Sequence, residues 1–158
     1  MKLEQAKELA IKLMQEHGLN DWSFKFDHAK RRFGACNYTK KTISLSKHLS
    51  LLNSCDEVQD TILHEIAHAL CPRDGHGKLW QAKCREIGAK PERLYTAEQV
   101  KGLEANYILY CPNCNFEHER FRRSRKKYYC ASCCKKYNNN RVDQRFLLQW
   151  RPNKPKAN

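Results

Sequence analysis

The chain has 158 residues, 41% of them hydrophobic and 30% charged, with nine cysteines and a formal net charge of +13. That length suits one enzyme-sized core plus a small module, and no apolar run approaches a membrane span. The odd cysteine count, and an N-terminus (Met1-Lys2-Leu3-Glu4-Gln5) with no uninterrupted apolar stretch, argue against a secreted disulfide framework. They predict an intracellular, non-membrane protein with reduced or metal-bound thiols.

Residues 3–16 predict an amphipathic helix, with Leu3, Ala6, Leu9, Ala10, Leu13 and Met14 at helical spacing and Gly18 as its stop. Trp22 to Phe26 alternates with period two and predicts a half-buried strand. Arg32–Asn37 and Thr42–Ser46 predict two more, joined by a turn at Tyr38–Lys41, with Ile43 and Leu45 facing the core. Ser54 or Asp56 can cap a helix that runs to about Leu70, where Pro72 enforces a stop. Asp74-Gly75-His76-Gly77 reads as a loop. A further helix is expected over Lys78–Ile87, closed by Gly88, and a helical turn over Thr96–Gly102. Beyond it, Tyr107–Tyr110 predicts a strand feeding into Cys111. Tyr128-Tyr129 leads into Cys130, Asn138–Asn140 is a turn, and Arg145–Trp150 is another strand. Domain boundaries are expected at 1–106, 107–150 and a flexible tail 151–158.

Within the second helix His64-Glu65-Ile66-Ala67-His68 fits H-E-x-x-H. Residues four apart share a helix face, so His64 and His68 can bind one metal, and Glu65 can reach a water bound to it. Two buried, hydrogen-bonded histidines are the bland alternative. It is disfavoured because Ile62, Leu63, Ile66 and Leu70 already supply the apolar face. A catalytic zinc takes a third protein ligand. The spacing of one known pattern would put a glycine at Cys71 and the ligand at Asp74, and it fails on both. Glu86 on the next helix is a second candidate. His76, flanked by Gly75 and Gly77, is favoured as an imidazole in a loop able to turn back to the metal.

Cys111-x2-Cys114 and Cys130-x2-Cys133 form two knuckles, the spacing of a structural zinc ribbon with four thiolates and no open position. Cys134 competes with Cys133, but only Cys133 keeps the knuckle. Cys36, Cys55, Cys71 and Cys84 are expected as small buried residues. The charge excess sits here: residues 1–108 hold 17 Lys/Arg against 14 Asp/Glu, and residues 109–158 hold 13 against 3. Between the knuckles Arg120, Arg122, Arg123, Arg125, Lys126 and Lys127 alternate with Phe121, Tyr128 and Tyr129. The cations suit phosphates, and Tyr128 could stack on an unpaired base. DNA, single-stranded or bound without sequence preference, is the expected partner.

Taken together, Arg32-Phe33-Gly34-Ala35-Cys36, Ile43-Ser44-Leu45-Ser46, the H-E-x-x-H helix, Asp74-Gly75-His76-Gly77 with Trp80, and the paired-cysteine ribbon resemble the SprT-like metalloprotease family. That family includes the Spartan protease, which degrades proteins covalently trapped on DNA. The resemblance covers about residues 1–150, in the compact form seen in bacteria and viruses. It implies an α+β fold: a small zincin-like metalloprotease domain, with helices packed on a short antiparallel sheet, followed by a β-rich zinc ribbon. It implies His64, His68 and His76 as ligands of a catalytic zinc, Glu65 as general base, a second structural zinc, and DNA-associated protein substrates. The expected setting is the bacterial cytoplasm or nucleoid, or the host cell interior for a virus, and a monomer is expected. The alternative is a non-proteolytic, zinc-stabilised DNA-binding or regulatory protein, against which the intact Glu65 argues.

Overall fold

The computed structural model of the protein describes residues 1–92 and 101–153. The chain divides into two units, Met1–Leu103 and Glu104–Asn158. In the first, the periodic apolar positions form α1 (Leu3–Glu16), which buries Ala6, Ala10, Leu13 and Met14. Gly18, at φ 76°, turns the chain out of the helix in a conformation that costs glycine nothing sterically. The alternating run becomes β1 (Ser23–Asp27), one residue later than the expected start. β2 (Gly34–Asn37) and β3 (Thr42–Ser46) form a hairpin about the expected turn, and Arg32 and Phe33 precede β2 rather than belonging to it.

The strand order is β1-β3-β2. β2 is antiparallel to β3 and β1 is parallel to it, so the sheet is mixed rather than purely antiparallel as expected. The cause is the hairpin. It places β3 in the middle, so the chain leaving β1 must cross to the far edge before pairing begins. Among the described residues β2 is therefore an open edge. Phe24 and Phe26 face Ile43 and Leu45 in register, and all four belong to the apolar core under the helices.

Ser46 ends β3 and at once caps α2 (Lys47–Leu52), its Oγ accepting from the Leu49 N–H at 3.2 Å. This short helix was not among the predicted elements. α3 (Cys55–Leu70) starts at Ser54, not Asp56. The Ser54 Oγ accepts from the Glu57 N–H at 3.3 Å, a cap contributing about 1 kcal/mol. Val58, Ile62 and Ile66 on α3 are fully buried, each contributing about 1.5–3 kcal/mol. α4 (Lys78–Ile87) ends at Gly88, φ 82°. The helical turn expected over Thr96–Gly102 lies outside the described residues, except for Lys101 and Gly102, which are not helical. Of the cysteines expected to be buried, Cys84 is buried, Cys36 and Cys71 are half-buried, and Cys55 is exposed. Cys55 is the first residue of α3, before that helix has entered the core.

In the second unit β4 (Tyr107–Tyr110) lies between β5 (Glu117–Arg120) and β6 (Gln149–Pro152), all antiparallel. Three features refine the expected β-rich ribbon. β5 is an added strand. The expected strand Arg145–Trp150 opens as a 3-10 turn, Gln144–Phe146, because the Asp143 carboxylate captures the Arg145 N–H at 2.9 Å. The second knuckle runs directly into a helix, α5 (Ala131–Tyr137), with Cys130 as its N-cap residue. Asn139 and Asn140, at φ 48° and 65°, make the expected turn. Of the expected tail, Arg151 and Pro152 are in β6 and the Asn153 N–H donates to the Asn106 carbonyl at 2.9 Å, while residues 154–158 lie outside the described residues. Among the described residues no helix is long and apolar enough to cross a membrane. The fold class is α+β.

Candidate functional site

α3 places His64 and His68 one turn apart, and the loop after it brings His76 back beside them. One ligand atom from each of the three lies within 4.8 Å of the other two. The ring centroids are 5.0 Å (His64–His68), 5.4 Å (His64–His76) and 4.6 Å (His68–His76) apart. The Nε2 atoms of His68 and His76 stand 3.2 Å apart. Two nitrogens on one tetrahedral zinc are separated by about 3.3 Å, so this pair already has ligand spacing. The donor set fits the metal.

The loop owes its path to local chemistry. Gly75, at φ 59°, reverses the chain. A hydrogen bond between the His68 ring and the Gly75 backbone leaves Nε2 directed at His76. The Asp74 carboxylate accepts from the Trp80 N–H at 2.8 Å and so caps α4. Gly77 makes this possible, because a Cβ there would lie 2.6 Å from that carboxylate. Asp74 is thus a cap, and Glu86 pairs with Lys83 on the exposed face of α4 at 2.6 Å. Neither joins the imidazole cluster.

Trp80, to which the sequence assigned no role, is the floor of the site. It is fully buried, and its ring centroid lies 4.8, 5.1 and 4.6 Å from those of His64, His68 and His76. It stacks on His68 with a 22° angle between planes. Tyr38 ties the site to the sheet, its phenol donating to the His68 carbonyl at 2.7 Å.

Burial, reinforced by the neighbouring imidazoles, pushes His64 and His68 down to about 4, so both rings are neutral and can donate lone pairs at pH 7. Glu65 is 7% exposed. Its burial raises it to about 7, against the opposing pull of Arg32 and of a hydrogen bond from the Cys36 backbone. The Phe33 carbonyl accepts from the Ser46 N–H at 2.7 Å, so hydrogen-bonded pairing with β3 falls on residues 33, 35 and 37. Gly34 and Cys36 therefore turn their backbone groups to the open edge of β2, beside Glu65.

In the second unit Cys111, Cys114, Cys130 and Cys133 form the other ligand cluster. The Sγ atoms of Cys111 and Cys133 are 3.8 Å apart, and those of Cys114 and Cys130 are 3.6 Å apart. A disulfide needs about 2.05 Å, whereas two thiolates on one tetrahedral zinc stand about 3.8 Å apart. Burial works against ionisation of Cys111, but hydrogen bonds from the Asn113 backbone and the other thiols outweigh it and lower its pKa. Burial, with its neighbours, raises that of Cys133. Cys134 is buried in the ribbon core, outside the cluster.

Arg120, Arg122, Arg123, Arg125, Lys126 and Lys127 are all exposed, and among the described residues none is in an ion pair with an acid. Phe121, Tyr128 and Tyr129 are half-buried. Tyr128 and Tyr129 pack against the cysteine core, which leaves only part of the Tyr128 ring for a base.

The SprT-like family model matches residues 4–102, more than half the chain. Protein SprT of Actinobacillus succinogenes is 26% identical over 111 residues, covering 63% of this chain and 65% of that protein. Protein SprT of Glaesserella parasuis is 25% identical over 114 residues, covering 65% and 73%. Among solved structures, the metallopeptidase zymogen jannalysin of Methanocaldococcus jannaschii is similar over 51% of this chain and 79% of its own, at 18% identity and a TM-score of 0.47. The zymogen abylysin of Pyrococcus abyssi is similar over 54% and 79%, at 16% identity and a TM-score of 0.43. The chain belongs to the SprT-like family.

Proposed function

We propose that this protein is a zinc-dependent endopeptidase that cleaves proteins held on DNA. The observation that carries the reading is the setting of Glu65: a buried carboxylate, next in sequence to one of three clustered imidazoles and beside an open strand edge. His64, His68 and His76 would hold the catalytic zinc, and Cys111, Cys114, Cys130 and Cys133 a structural one. Zinc, when bound, supplies Lewis-acid activation of water and of the scissile carbonyl. Glu65 accepts the proton of the attacking water at its carboxylate and delivers it to the leaving amine. Burial, which raises the pKa of Glu65 to about 7 in the metal-free site, favours its keeping and then delivering that proton. An extended substrate can add to the edge of β2 through the backbone of Gly34 and the Cys36 carbonyl, the Cys36 N–H being held by Glu65.

The DNA half of the reading draws on the six exposed cations and on the family. A single-sign, unpaired basic loop takes phosphates without reading bases, and would hold a crosslinked substrate at high local concentration. On this reading the protein works on DNA inside the cell, as a monomer. The test is proteolysis of a protein crosslinked to DNA, with metal analysis. Wild type should carry two zinc ions and cut. Glu65→Ala should keep both ions and cut at least about 100-fold more slowly. Equal processing by the two would leave a non-proteolytic DNA-binding protein. Cleavage by wild type that single-stranded DNA does not alter would remove the DNA substrate and leave a general peptidase.

A further inference from the structure

We infer that Gly34 is a positioning residue for Glu65: the side chain missing from this edge-strand glycine is what lets the carboxylate lie against β2. The need is for space, not conformation, because Gly34 is not among the positive-φ residues. A Cβ built on Gly34 would lie 2.7 Å from both Cγ and Oε1 of Glu65 and 2.9 Å from Cγ2 of Thr61. Such separations require something to move. By contrast, a Cβ on Gly102 would meet nothing within 4 Å.

Three surroundings decide what moves. The strand is held, since the Phe33 carbonyl on one side of Gly34 is bonded to Ser46 and Ala35 on the other pairs with Ser44. Thr61 is held, because its Oγ1 donates to the Glu57 carbonyl at 2.8 Å and that bond fixes the direction of Cγ2. The compliant group is the Glu65 side chain, with three rotatable bonds and a single backbone hydrogen bond, from Cys36 two residues along the same edge. An added methyl at 34 therefore displaces the carboxylate from the strand. A misplacement of about 1 Å in a reacting group costs up to about 100-fold in rate. Gly34 and the Cys36 backbone together fix where the proposed base stands relative to the imidazoles. The turnover half of this inference rests on the peptidase reading, while the contact itself does not.

The test compares zinc-loaded wild type, Gly34→Ala, Glu65→Ala and the double variant. Gly34→Ala is expected to keep its zinc and to lower Tm by about 4 °C in the wild-type background, but by less than half as much in Glu65→Ala, where the obstructing carboxylate is gone. On a peptide substrate kcat should fall about tenfold or more, with KM within about twofold. An equal Tm loss in both backgrounds, including failure of both variants to fold, would assign the glycine to packing against Thr61 and overturn the inference. So would an unchanged kcat in an active protein. A wild type with no turnover that Glu65→Ala can abolish sinks the peptidase reading instead, and the stability cycle still decides the contact.

Discussion

The two ligand clusters sit in units built in opposite ways. Among the described residues the first unit has seventeen buried apolar residues in one cluster, and its imidazoles lie at the edge of a core that exists without them. The second has seven, four of them cysteines. Without the sulfurs, that cluster keeps Leu109, Phe146 and Leu148 as its buried side chains. The imidazole group also keeps an acid, Glu65, at its side and leaves His68 and His76 half-exposed. Three of the four clustered thiols are buried, with no carboxylate among them. One arrangement suits a metal that reacts and the other a metal that only holds.

The sharpest way to break this contrast is to remove the ribbon metal. Cys111→Ser, or a strong chelator, should unfold residues 104–153 and leave the first unit folded. Hydrogen exchange would show protection lost in β4 and α5 and kept in α1 and α3. Loss of protection in both would mean the first core also depends on its metal. Next in size is Trp80→Ala, expected to destabilise the first unit by about 3–5 kcal/mol and to weaken its zinc affinity, with Trp80→Phe much milder in a thermal melt. Ribbon charge comes third. Replacing Arg122, Arg123, Lys126 and Lys127 with Gln should leave stability nearly unchanged. It should reduce the slope of log affinity for single-stranded DNA against log salt by about 3.

The smallest effect is a pH dependence in the metal-free first unit, and its sign follows from opposed shifts. His64 and His68 are lowered from 6.5 to about 4, so between those values the unfolded chain binds more protons and stability falls as pH falls. Glu65 is raised from 4.5 to about 7, so over that window the folded chain holds the extra proton and stability falls as pH rises. Two imidazoles outweigh one carboxylate, so acid should destabilise. Glu65→Gln removes the opposing contribution, and its Tm should drop more steeply between pH 6.5 and 4.5. A shallower drop would show that the carboxylate is not buried as described.

Much of this was legible in advance where periodicity is strong. α1 and α4 run over the residues their apolar spacing predicts, because a long amphipathic pattern leaves few alternatives, and β3 runs over its expected five residues. The direction of β1 was not legible, since alternation marks a strand but not the way it runs. α2 and α5 have only six and seven residues, too few for a helical period to show. The knuckle spacing also drew attention to the sulfurs and away from the helix that begins inside it. In the site, His64, Glu65 and His68 follow from helix geometry alone, while His76 needed its glycine neighbours. A glycine within a strand pattern marks a close approach, but nothing in the sequence says that Glu65 is what approaches Gly34. Trp80 is similar: its place in the motif was visible, but its contact with all three imidazoles exists only in the folded chain.

Cys36, on the same strand edge, extends this to redox chemistry. Burial and the nearby Glu65 charge push its thiol up to about 12. At pH 7 this disfavours the thiolate that oxidants and alkylating agents attack. An oxidant in solution would meet the exposed Cys55 first. The thiol beside the proposed base is thereby held in its less reactive form, so sulfur can flank this centre without being its first point of attack.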